Sequence, residues 1–201
     1  MSTQAPAKKM SLDEFLQWLD EDTHAEWVDG EVLLMSPVSY AHQEITRFLL
    51  EILSAFVNVK SAGAVCYEPF QMRLANSSRS PDILFVSNAN LHRLKETYLD
   101  GAADLVVEVI SPESRARDRG EKFYEYEAAG VREYWLIDPE RKQAEFYQLT
   151  EGGVYHTVLA ASQGVYHSRV LDGLWLQVEW LWQQPKPTII DVLNQWGMFS
   201  P

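Results

Sequence analysis

The sequence predicts a mixed α/β (α+β) fold: a central sheet holding parallel and antiparallel strands, flanked by helices and extended by antiparallel strands toward the C-terminus. Three stretches carry this expectation. Residues 105–110, Leu-Val-Val-Glu-Val-Ile, are apolar apart from one carboxylate, the mark of a strand covered on both faces. A helical stretch over 118–129 follows, then Gly130 in the position of a C-terminal cap, then a second strand-like run over 133–138 closed by Pro139. Strand, helix and strand with about 12 helical residues between form a βαβ unit, whose right-handed crossover makes the two strands parallel. By contrast, residues 25–28 and 31–35 flank Asp29-Gly30, the signature of a two-residue type I′ hairpin and so of antiparallel pairing.

The remaining elements follow in order. Ser11-Leu12-Asp13-Glu14 is a capping-box pattern that opens a short helix to about Asp20, with Leu12, Phe15, Leu16 and Leu19 in one stripe. Ser36-Pro37 stops the hairpin, and Ile45, Phe48, Leu49, Ile52, Leu53 and Phe56 recur at helical spacing over 40–57. Gly63 opens a long strand reaching Leu74, interrupted at Glu68-Pro69, where the missing N–H predicts a bulge or an edge. Polar residues 76–80 read as a turn into a strand over 81–86, and 87–102 as a loop with a weak helix. Runs over 144–149, 154–159 and 174–182 read as antiparallel additions to one edge, and a last helix is expected around 188–196. The organisation is thus one domain over 1–201, with an N-terminal helix in 1–22, a core in 23–147 and C-terminal strands and helix in 148–201.

Composition narrows the functional classes. With 46% hydrophobic residues and seven Trp the chain can bury a substantial core. No apolar run approaches the roughly 18 to 20 residues of a membrane helix, and residues 1–10 lack the apolar centre of a signal peptide, so a cytoplasmic location without membrane contact is expected. One cysteine, Cys66, excludes an internal disulfide, and the five histidines lack zinc-site spacing. The net charge of −12 speaks against a generic nucleic-acid binder, yet the charge is uneven. Residues 1–69 carry 4 basic and 11 acidic side chains and residues 123–201 carry 5 and 10, whereas residues 70–122 carry 8 of each.

That neutral third holds the chemistry. An ionised Glu108 withdrawn from water costs several kcal/mol unless partners compensate it. Alternation puts Asp104, Val106, Glu108 and Ile110 on one face of their strand and Leu105, Val107 and Val109 on the other. Asp82 opens the strand just upstream, and two carboxylates from neighbouring strands can converge on a hard divalent cation.

The ordered set Pro81-Asp82, Glu108-Val109-Ile110-Ser111-Pro112, Lys122, Tyr126 and Gly130-Val131-Arg132-Glu133-Tyr134-Trp135 resembles the Uma-type family, abundant in cyanobacteria and assigned to the PD-(D/E)XK superfamily. The resemblance runs from about Trp27 to Tyr147. It implies a restriction-endonuclease-like core and an endonuclease that binds Mg2+ or Mn2+ and hydrolyses phosphodiester bonds of DNA. It also implies a metal site at Asp82, Glu108 and position 110, with an activating lysine two residues after the Glu. Here that position is Ile110, and the resemblance implies that Lys122, from the following helix, supplies the ammonium. Lys122 and Tyr126 are four apart and share a helix face. A Lys122 ammonium within about 5 Å of a carboxylate would favour both ionised forms, and its truncation is expected to spare the fold.

Glu31, after the hairpin turn, and His42, in the first turn of the long helix, stand where the family often has an acid and a His; Tyr126 is a further accessory candidate. Arg115, Arg117 and Arg119 are candidates for phosphate contact, or a solvated charged loop. Taken singly, Asp82 can be a turn residue, Glu108 a structural ion-pair partner and Lys122 a solvated helix residue; together, in this order, they point to a site. The alternative function is a catalytically silent relative serving protein assembly or nucleic-acid binding. A homodimer is expected for double-strand cutting, with the apolar run Leu174, Leu176, Val178, Trp180 and Trp182 read as inward core or, alternatively, as the dimer surface.

Overall fold

The structure, a computed structural model, describes residues 8–20 and 23–198; residues 1–7, 21, 22 and 199–201, with the parts of the N-terminal segment expected there, lie outside the described residues. Helix α1 (Leu12–Trp18) starts on a capping box, the Glu14 carboxylate accepting the Ser11 N–H at 2.7 Å while the Ser11 hydroxyl accepts from Glu14 N–H. Strands β1 (Ala25–Val28) and β2 (Glu31–Leu34) form the hairpin, and its turn residues Asp29 and Gly30 both have positive φ, 48° and 93°, as a type I′ turn requires. Helix α2 (Tyr40–Lys60) buries the apolar stripe that sequence spacing picked out.

Glu68-Pro69 is no bulge but does follow an edge: it separates β3 (Gly63–Tyr67), the edge strand of its sheet, from β4 (Gln71–Arg73), which belongs to another sheet. Two further strands replace expected loop: β5 (Ser77–Arg79), and β7 (Tyr98–Asp100) after β6 (Ile83–Ser87) and a 3-10 turn at Asn88–Arg93. Strand β5 shows no apolar alternation because its buried side chains are satisfied by polar partners: Ser78 Oγ donates to Gln71 Oε1 at 2.8 Å, Ser77 Oγ to Glu125, and Arg79 pairs with Glu26 and Glu125. After β8 (Leu105–Val109) come α3 (Arg115–Arg119) and α4 (Glu121–Ala129), two helices broken at Gly120 where one was expected. Strand β9 (Glu133–Asp138) runs parallel to β8. The remaining elements are β10 (Gln143–Leu149), β11 (Tyr155–Ala161), β12 (Val165–His167), β13 (Trp175–Gln177), a 3-10 turn at Val178–Leu181 and α5 (Ile189–Gln195). Strands β12 and β13 form a sheet of their own and do not extend the main edge.

The main sheet has the order β11-β10-β9-β8-β6-β3 and is mixed, parallel only at β8/β9. A second sheet, β2-β1-β5-β4-β7, is contributed by the N-terminal half. One face of β8, Leu105, Val107 and Val109, packs in a core with α2 and the C-terminal segment. The other face, Val106 and Ile110, packs with Tyr126 of α4, Tyr134 and Met72. Glu108 points to that second face, as alternation requires. The run from Leu174 to Trp180 buries Leu174, Leu176, Val178 and Trp180 in the chain's own core with α2 and its neighbours, in line with the inward-core reading and not with the alternative of a dimer surface. Among the described residues no helix is long and apolar enough to cross a membrane.

Candidate active site

Asp82 ends the approach to β6, and its Oδ2 accepts the Val109 N–H at 2.6 Å. That bond fixes the carboxylate beside the end of β8. Its Oδ1 lies 3.3 Å from Nε2 of His42, a residue carried into the interior by the first turn of α2. Ser39 accepts the His42 backbone N–H and caps the helix, which leaves the imidazole for Asp82 and Thr46. Burial alone would lower the His42 pKa, but the hydrogen bond and charge of Asp82 outweigh it and raise it.

From the next strand, Glu108 Oε1 accepts from Lys122 Nζ at 2.9 Å and from the Tyr126 hydroxyl at 2.7 Å. The i,i+4 spacing on α4 is what brings both donors to one oxygen. Lys122 is 1% exposed, and its ammonium also meets Glu26 Oε1 at 3.1 Å and Asp118 Oδ1 at 3.4 Å. Burial would lower the Lys122 pKa, yet Glu108, Glu26 and Asp118 raise it well above the ordinary value, so the ammonium persists. Burial raises the Glu108 carboxyl well above its usual range; Lys122 opposes this, and Asp118, Asp82 and Glu26 add to it. Three carboxylates share one ammonium, with the Arg79 guanidinium on Glu26 as a second buried cation, so acids outnumber cations in a low-dielectric place.

The two halves open on one cavity of about 110 Å³, lined among others by His42, Glu68, Ser80, Asp82, Glu108, Val109, Arg117 and Lys122. The structure therefore brings Asp82, Glu108, Lys122, His42 and Tyr126 together. Four candidates need correction. Ile110 buries its side chain in the apolar cluster with Tyr126 and Tyr134, and Val109 takes the place on the cavity wall. Glu31 borders a neighbouring groove and pairs with Lys9 at 3.4 Å. Arg115 and Arg119 turn to the far side, where Arg115 meets Asp138 and Glu140, and Arg119 meets Asp138 and Glu145. Of the three arginines, Arg117 alone lines the cavity.

Sequence reasoning missed Glu26, Glu68, Arg79 and Asp118. Glu26 is wholly buried and holds Lys122, Arg79 Nη1 at 3.1 Å and the Ser80 N–H at 3.3 Å. A carboxylate in the short run Ala25-Glu26-Trp27-Val28 carries the same signal as Glu108 in its strand, but hairpins commonly show polar residues to solvent. Asp118 was findable from its i,i+4 spacing to Lys122. Glu68 stands beside the junction between the sheets, its pKa raised by burial and by Asp82.

The donor atoms suit a hard divalent ion. Glu108 has a second oxygen to which no described group donates, Asp82 and Glu68 share its cavity, and the Ser80 hydroxyl is buried there without a hydrogen-bond partner. Among the described residues no three His, Cys, Asp or Glu side chains make a ready cage. Mg2+ does not demand one, since it is commonly held by one or two carboxylates and keeps several waters.

Comparison with known proteins gives the site its context. An uncharacterized protein of Synechocystis sp. is 27% identical over 158 residues, covering 76% of this chain and 80% of the relative. The crystal structure of a putative nuclease from Anabaena variabilis superposes with a TM-score of 0.74 at 18% identity, over 86% of this chain and 97% of that one, so the two share a fold. The Uma2 family profile, described as "Putative restriction endonuclease", matches residues 12–179, a span that includes every residue lining the cavity. The chain belongs to the Uma2 family.

Proposed function

We propose that the chain is a metal-dependent endonuclease that hydrolyses phosphodiester bonds of DNA, with Asp82 and Glu108 holding Mg2+ or Mn2+ and Lys122 as the activating cation. One observation carries this reading: two carboxylates from adjacent strands face one cavity whose wall holds a buried ammonium, 2.9 Å from Glu108. When bound, the ion supplies a Lewis acid for phosphoryl oxygens and acidifies water. The protein's own groups do the rest. The Val109 N–H and His42 fix Asp82, while Lys122 and Tyr126 occupy one Glu108 oxygen and leave the other to the cavity. The Lys122 charge, preorganised in a site of small volume, offsets negative charge that grows on the phosphoryl group. The His42 imidazole can hold a proton at Nε2 beside Asp82.

The same proposal takes the acting species as a cytoplasmic homodimer, since the described residues of each chain place one carboxylate pair, Asp82 and Glu108, on such a cavity and cutting both strands at once takes two. Calorimetric titration with Mg2+ and Mn2+, run beside cleavage of plasmid DNA, tests the reading: wild type binds the ion and cuts, and Asp82→Ala or Glu108→Ala abolishes both. A second reading, a silent relative that binds nucleic acid or assembles with protein, is favoured by the threefold clasp of Lys122, which already satisfies its ammonium. Wild type that binds no ion would establish that second reading.

A further inference from the structure

We propose that Arg117 grips a backbone phosphate of the nucleic acid at the mouth of the cavity, and that its neighbours Arg115 and Arg119 do not. The proposal rests on the nuclease reading and names the contact by which so acidic a chain holds its polyanion. Helical geometry separates the three arginines. Residues 115 and 119 are one turn apart and share a face, which meets Asp138, Glu140 and Glu145; residue 117 lies about 200° around the axis from 115.

Three basic side chains line the cavity: His42, Arg117 and Lys122. The first is engaged by Asp82 and the third by three carboxylates. Arg117 has neither an ion pair nor a side-chain hydrogen bond among the described residues, and its Nε is buried without an acceptor. A guanidinium with a shielded, unpaired N–H beside a cavity is a donor fork waiting for an anion, and its geometry matches two oxygens of a phosphate. The need for it is electrostatic. A phosphodiester entering this cavity meets Glu68, Asp82, Glu108 and Glu113, and among the described residues Arg117 is the one cation there not already spent on the protein's own carboxylates.

Position adds a direction. Arg117 also borders an open groove of about 710 Å³ on the other side, shared with Lys9, Leu33 and Asn76. Lys9 is occupied by the Asp29 carbonyl oxygen at 3.2 Å and by Glu31. The groove also carries Asp29, Glu31, Glu121 and Glu125, which repel a polyanion, so a strand whose phosphate sits on Arg117 is directed to the cavity mouth and not along the groove.

The test is binding of a fluorescein-labelled DNA oligonucleotide in Ca2+, followed by anisotropy at several salt concentrations, beside steady-state cleavage in Mg2+. Arg117→Ala should weaken binding about tenfold or more, flatten the slope of log affinity against log salt by about one, and raise KM more than it lowers kcat. Arg117→Lys should keep the slope and lose part of the affinity, because charge survives and the fork does not. Arg115→Ala should leave both affinity and slope as in wild type. Since Arg117 makes no described side-chain hydrogen bond or ion pair, its variants should unfold at the wild-type temperature, so a binding defect is not a folding defect. The proposal is overturned if wild type binds and cuts while Arg117→Ala keeps affinity and slope, or if Arg115→Ala matches its loss. Wild type that neither binds nor cuts would sink the nuclease reading and this proposal with it.

Discussion

Glu108 and Glu133 are both buried carboxylates, on strands β8 and β9 that pair in parallel, and they have opposite fates. Glu133 stands at the start of its strand and is clasped by neutral donors: the backbone N–H of Val170 at 2.9 Å, that of Arg169, the Ser168 hydroxyl at 2.9 Å and the Trp135 indole at 3.3 Å. No cation touches it among the described residues. Glu108 stands near the far end of its strand, is held by an ammonium and a phenol, and keeps one oxygen for a cavity. The first carboxylate is used up in anchoring the loop before β13. The second is left with unspent capacity, which is what the proposed metal role requires and what burial alone does not provide.

Breaking each clasp in turn sharpens the contrast. The largest effect belongs to Glu108→Ala, which should lower plasmid cleavage on the order of 1000-fold and remove Mg2+ binding in calorimetry. Next is Lys122→Ala. Cleavage should fall about 100-fold. The truncation will not spare the fold, as sequence alone had suggested, because Glu26, Glu108 and Asp118 would then stand buried without their shared cation. Removing one partner of a buried pair costs about 3–5 kcal/mol, readable in urea unfolding. Adding Glu108→Gln to Lys122→Ala should return part of that stability and none of the activity; a double variant no steadier than the single one would show that the ammonium is not balancing Glu108.

Glu133→Ala is the matching experiment on the other clasp. It should cost about 2–3 kcal/mol by stranding backbone donors, while metal binding and cleavage at a permissive temperature stay at wild-type levels. Loss of metal binding in this variant would erase the distinction between the two acids. The smallest effect is one of pH. Burial raises the Glu133 pKa, with the Val170, Arg169 and Ser168 bonds opposing. The folded state then binds that proton more tightly than the unfolded chain, so this group's contribution to stability falls as pH climbs from the ordinary carboxylate value through the raised one. The stability of Glu133→Gln relative to wild type should accordingly improve over that window, measured by urea titrations at successive pH values.

Much of this architecture was legible in the residues because it rests on local rules. The capping box at Ser11, the Asp29-Gly30 turn, the stripe of α2 and the alternation of β8 each follow from a few neighbouring side chains. The face of Glu108 and the shared face of Lys122 and Tyr126 came from the same periodicities, whereas the pairing of Lys122 with the strand carboxylates was what the family resemblance implied. What escaped was non-local. Strand β5 is made of Ser77, Ser78 and Arg79, which bury themselves only because Gln71, Glu26 and Glu125 wait for them elsewhere in the chain. Glu26 reaches Lys122 across the two sheets, a proximity no window of residues contains. The different placement of the three arginines was hidden for a smaller reason, the break at Gly120 that gives α3 its own axis.

On the proposed nuclease reading, the grip of Glu26 on Lys122 bears on when the site can form. Residues 26 and 79 leave the ribosome well ahead of residue 122, and until α4 arrives the acids destined for the cavity stand in water, each with its own hydration shell. Only docking of the late helix against both sheets expels that water and gathers the charges around one point. On that reading, a nascent or partly unfolded chain holds Asp82 and Glu108 without the docked Lys122, so cleavage is expected only once the core is complete.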